Sequence, residues 1–262
     1  WIMAGLVVFM AVLGYLFSLM VVDTKQADNT LKIDWNCFKS TYQLVQQSSS
    51  HHTAFFAVIA ISWFWFIGAV MLSQIPALVK YDLQADDGVV MLFLTLFSVG
   101  IAVGSGLIGR MMPGAVHIKW HWIMQLGIAL MLLLTVWVIS VQKADSVNWV
   151  NVSHETLFSV GQFVSQFPAS MSLIFLAVLA LLGGMYIVPL YTILQTHTPS
   201  LLRARMVAVN NIMNALLMVL SALLIMLGFS FGFTLLEMIF ALAVFNLYVV
   251  WLLYRKRFKA GR

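Results

Sequence analysis

Side chains able to do chemistry are few and widely spaced in this chain, and their patterns exclude more than they suggest. His117 and His121 stand four apart, so both fall on one helix face. No third ligand accompanies them, and Trp120 and Trp122 lie beside them, which favours interfacial anchoring over metal binding. His51 and His52 are adjacent in "SSSHH", cannot share a helix face, and read as part of a flexible linker. Acyl-transfer chemistry would need a base and an acid placed together, for example a His and an Asp four apart. His154 and Glu155 are adjacent in a polar loop, and no pair of the required kind is present. The chain is therefore expected not to be an enzyme and to need no metal or cofactor.

Recognition by hydrogen bonding is better represented. Asn210 and Asn214 are i, i+4 and share a face, with Asn211 beside it. Amides in the first third of a membrane helix are expected to face the bundle or a wet cavity, as interhelical ties or as substrate contacts. Gln74 lies deep in an apolar run, where an amide needs a partner. Trp65 belongs to the aromatic patch Trp63-Phe64-Trp65-Phe66. Tyr186 and Tyr191 flank Pro189, which removes one helical hydrogen bond and bends its helix, as a gate or as a static kink. Substrate contact is assigned to Trp65, Gln74, Tyr186, Tyr191, Asn210, Asn211 and Asn214. Arg203 and Arg205 follow at a polar turn with Pro199, placed to hold helix-terminal carbonyls or lipid phosphate. Glu237 is the main charge within the apolar runs and reads as a snorkelling interfacial carboxylate, with a proton site as the alternative.

The elements that must hold these residues follow from composition. Of 262 residues, 62% are hydrophobic and 9% charged, against about 25% charged in soluble proteins. Seven apolar runs, near 1–22, 54–79, 89–109, 121–141, 171–194, 206–228 and 233–254, are long enough to cross a bilayer. Backbone groups in hydrocarbon must be satisfied internally, so the runs are helices and the fold class is an all-α membrane protein. Twelve of the 14 Lys and Arg fall in 23–53, 110–120, 195–205 and 255–262, and Lys80 and Lys143 alone fall on the other side. The positive-inside rule makes the first set, with the C-terminus, cytoplasmic, so the pI of 9.4 reports topology and not nucleic-acid binding. The lone Cys37 has no partner for an internal disulfide, and Asn151-Val152-Ser153 fits a glycosylation sequon on the outer side.

The plan is one helix (1–22), a cytoplasmic segment (23–53), six helices (54–254) and a basic tail (255–262). It is the plan expected if the chain starts at the sixth helix of a twelve-helix transporter with two six-helix halves. Because Trp1 opens inside an apolar run, a part of a longer protein is expected. Trp35, Phe38, Tyr42 and Val45 predict a short amphipathic helix, and Val160, Phe163, Val164 and Phe167 predict one side of a surface helix. Gly100 and Gly104, like Ala102 and Gly106, are spaced for close helix approach.

The stretches "GGMYIVPLYTILQ", "RARMVAVNNIMNALLMVLSALL" and "SWFWFIGAVMLSQIP" resemble the major facilitator branch that holds bacterial lysophospholipid transporters. They are especially similar to transporter domains fused to acyltransferase and acyl-carrier-protein synthetase domains. The resemblance covers essentially the whole chain. It implies the major facilitator fold, as the C-terminal six-helix half plus the last helix of the N-terminal half. Gly109, Arg110, Gly114 and Lys119 look like that family's loop motif without its acidic residue. The implied function is secondary transport of lysophospholipid from the outer to the inner leaflet of the bacterial inner membrane by alternating access. The implied partners are the missing N-terminal half, membrane lipid and an acyltransferase in the same gene or operon. The alternatives are a facilitator of another small amphipathic solute and, ranked lower, a seven-helix receptor. A retinal protein would need a lysine in the last helix, and 233–254 contains none.

Overall fold

The computed structural model describes residues 1–21, 36–111, 121–146 and 157–259. These fall in two compact units, Trp1–Ser40 and Thr41–Arg262. In the first unit, α1 (Ile2–Ser18) is apolar throughout. Its 17 residues rise only ~25 Å at ~1.5 Å each, short of a ~30 Å core. The first of the seven expected spans is a shorter apolar helix in the structure, and among the described residues six helices are long and apolar enough to cross a membrane.

The second unit holds those six: α3 (His52–Ala77), α4 (Asp87–Met111), α5 (His121–Ser146), α7 (Met171–Thr196), α8 (Arg203–Ser230) and α9 (Leu235–Lys259). Two short helices accompany them, α2 (Cys37–Ser49), which begins in the first unit, and α6 (Val160–Ser165). The chain is an all-α, multi-pass membrane protein. Regular strands are absent among the described residues, and one isolated bridge joins Ala85 to Phe158.

Local sequence explains where the helices stop. Pro76, near the end of α3, has no N–H to donate, and the chain leaves through a π turn, Leu78–Asp82. Gln84 takes a left-handed φ of 54°, and the Asp86 carboxylate then accepts from Val89 N at 3.1 Å to cap α4. Between α8 and α9 the turn needs Gly232, at φ 84°. Thr234 and Glu237 form a reciprocal cap on α9, with Glu237 Oε2 accepting from Thr234 N at 2.7 Å and from Thr234 Oγ1 at 2.8 Å. Glu237 is therefore an exposed capping carboxylate at the first turn of α9, a position that agrees with the interfacial reading and lends nothing to the proton-site one. Lys143 reaches Asp82 at 2.6 Å and Lys80 reaches Asp87 at 2.8 Å. The first pair holds the end of α5 beside the α3–α4 turn, and the second ties that turn to the start of α4.

Packing is tightest where glycine permits it. A Cβ on Gly104 would lie 2.0 Å from the Leu181 carbonyl oxygen, and one on Gly184 would lie 2.2 Å from that of Ile101. Gly100 faces Ala180 in the same crossing, so α4 and α7 meet backbone to backbone. Ala102 and Gly106 are exposed and take no part. Elsewhere α3 packs on α8 and α7, and α5 packs on α7 and α9.

The two amphipathic predictions need correction by face. In α2, Leu44 and Val45 pack against the core and Ser48 is buried, whereas Tyr42 is 68% exposed. Trp35 lies outside the described residues. In α6 Phe163 turns inward, against Phe93, while Val160, Val164 and, beyond the helix end, Phe167 are exposed. One ring held in the core is enough to seat a helix of six residues.

Candidate functional site

Residues His52, Phe55, Phe56, Ile59, Ala60 and Trp63 recur at helical spacing and make one stripe along α3. Opposite them stand Val249, Leu252 and Leu253 of α9, with Leu217 of α8 and Tyr186 of α7. Although α8 and α9 are joined by a short turn, they barely touch along their lengths. The space between them and α3 is a groove of ≈ 1290 Å³, larger than the ~300–1,000 Å³ usual for small-molecule sites.

Its two ends differ chemically. At the mouth are His52, Tyr254 and Arg255, all exposed. The Arg255 guanidinium lies 4.4 Å from the Trp251 ring centre, and Tyr254 meets Trp122 edge-on at 5.3 Å. At the inner end are Ala60, Tyr186 and Trp63. Tyr186 is 1% exposed and packs against His121 and Phe64. The Trp63 ring stacks on Phe66 at 4.9 Å and leans on Phe245 at 5.2 Å.

A polar tie holds this floor. Trp63 Nε1 donates to Asn246 Oδ1 at 2.9 Å, and Gln125 Nε2 donates to the same oxygen. Asn246 Nδ2 donates in turn to the Gln125 backbone carbonyl at 3.2 Å. Three helices, α3, α5 and α9, are thereby linked through one fully buried amide. A second tie joins Ser62 Oγ to Asn214 Oδ1 at 2.8 Å, between α3 and α8. Gln125 Oε1 and Asn210 Oδ1 are buried without a hydrogen-bond partner among the described residues.

Of the residues assigned to substrate contact from sequence, Tyr186 alone lines the groove. Trp65 does not line it, and its Nε1 donates a hydrogen bond to the Tyr191 hydroxyl oxygen at 3.4 Å. Gln74 is half-buried and donates to neighbouring Ser73 at 3.2 Å. Asn210 and Asn214 are both buried on the expected face, and Asn211 is exposed. Pro189 sits half-buried in the last third of α7. Arg203 Nε donates to the Thr198 carbonyl at 3.4 Å, closing the α7–α8 turn, and Arg205 is exposed. Gly109 and Arg110 end α4 on an exposed turn. Gly114 and Lys119 lie outside the described residues, as do His117, the sequon at 151–153 and His154-Glu155.

Sequence reasoning missed Gln125, Asn246 and Arg255 as parts of one site. Gln125 and Asn246 were detectable as isolated amides in apolar runs, each needing a partner. Arg255 enters the sequence pattern only as one of the topology-setting cations. Comparison with protein-family models, with curated proteins and with solved structures finds no match.

Proposed function

We propose that the chain is part of a secondary transporter of the major facilitator type that moves lysophospholipid across the bacterial inner membrane by alternating access. The observation that carries the reading is the groove, with apolar walls along α3 and α9 and a cation, Arg255, at its mouth beside His52. A single-chain phospholipid has matching chemistry, with an alkyl chain for the walls and a phosphate for the cation. The quoted resemblance supports the same class and an outer-to-inner direction. Charge supports the orientation. The lysines at one end, Lys80 and Lys143, are paired with Asp87 and Asp82. Within the second unit, the Arg203 and Arg255 end carries the remaining described lysines and arginines and is the cytoplasmic face of the proposal.

No chemical step is assigned. The groove binds and orients, and the protein is proposed to act with a missing N-terminal half and, in the same gene or operon, an acyltransferase. The test is uptake of labelled lysophosphatidylethanolamine by spheroplasts with and without the full-length gene. Gene-dependent movement to the inner leaflet is the expected result. No movement by a folded, inserted protein rejects the lipid reading and leaves the alternative of another amphipathic solute.

A further inference from the structure

The geometry points to Trp63 as the residue that sets the longest alkyl chain the groove accepts. This rests on the reading that the groove takes a single-chain amphiphile. The two ends of the groove are chemically distinct, and the inner one is tied in place. At the mouth, Arg255 lies over Trp251 beside exposed His52. At the floor, the Trp63 indole is held by Asn246, itself tied to Gln125. His52 and Trp63 lie eleven residues apart on one helix, a separation of ~17 Å. A phosphate held at the mouth leaves a chain only that depth before it meets the indole.

The floor presents hydrocarbon. The indole N–H is already engaged by Asn246, so a ring and not a polar group faces an arriving chain. Behind it, one turn or ~4.5 Å deeper, lies Phe66, stacked on Trp63 and 7% exposed. Trp63 is thus one stop above a second. Ala60 lines the groove one turn nearer the mouth and is 6% exposed. A larger side chain there would shorten the channel from the opposite side.

The test is binding of lysophosphatidylethanolamines of increasing chain length to the purified full-length protein in nanodiscs, by competition against one radiolabelled member. The wild type is expected to show an optimum length. Trp63→Ala moves that optimum to chains longer by the few carbons a helical turn accommodates. Trp63→Phe, which keeps a ring, leaves it close to wild type. Ala60→Leu moves it to shorter chains and covers the case in which Trp63→Ala does not fold. Length profiles for Trp63→Ala and Ala60→Leu identical to wild type would overturn the assignment while leaving the lipid reading standing. Absence of binding by the wild type to every member of the series would overturn both.

Discussion

Buried amides carry unequal weight at the scale of single residues. Asn246 serves two donors from different helices, so Asn246→Ala strands both Trp63 Nε1 and Gln125 Nε2 in an apolar interior. Each buried group left unpaired costs about 1–3 kcal/mol. Thermal unfolding in detergent is expected to fall by several degrees or more. Ser62→Ala frees one end of a single bond to Asn214, and such interhelical bonds in membranes average only ~0.6 kcal/mol. Its unfolding temperature should stay close to wild type, and equal losses for the two variants would contradict this ranking. The difference was hard to read beforehand. An isolated Asn or Gln announces that it needs a partner, but nothing in "VFNLY" says that the partner is an indole and an amide over a hundred residues away.

Helices and their crossings were the most legible level. Apolar length found the six long helices, because a hydrocarbon surround leaves the backbone no other way to satisfy its polar groups. Faces were read less well, since a lipid-facing surface is as apolar as the core and periodicity fades. The glycine spacing in α4 matched two stripes, and only the Gly100–Gly104 stripe is a contact. Gly104→Ala is expected to destabilise by about 1–3 kcal/mol or more, because the obstacle at 2.0 Å is a carbonyl that cannot rotate away. Gly106→Ala, with open space around it, should be neutral or slightly stabilising in the same unfolding assay. Pro189 divides two readings of α7. If it is a hinge, Pro189→Ala in the intact protein lowers lysophospholipid uptake while raising thermal stability, and unchanged uptake would leave it a static kink.

For the molecule as a whole, the asymmetry of charge makes a claim about sidedness. Single cysteines at Lys80 and at Arg203, introduced into a Cys37→Ser background, should label from opposite faces of the membrane, with Arg203 reached only from the cytoplasmic side. Labelling of both from one face would reject the assigned topology. The groove itself was not legible in the sequence. A cavity is created by the angle between helices, here by α8 and α9 failing to pack, and no local pattern of residue types records an angle.

That angle has a mechanical side. The Phe231–Thr234 connection is pinned by Gly232 and by the Thr234–Glu237 cap, so α9 leaves it like an arm from a stiff pivot, and only loosening of the Asn246 tie to Trp63 and Gln125 lets that arm tilt. Arg255 sits twenty residues along that arm from Leu235, about 30 Å from the pivot. At that reach a tilt of about 5° displaces the guanidinium by about 2.6 Å, roughly the length of one hydrogen bond. The pivot end needs almost no movement, whereas the far end is amplified by leverage. Pairs of spin labels at Leu217 and Leu252 should therefore spread in distance far more than pairs at Leu227 and Leu236 when a ligand is added.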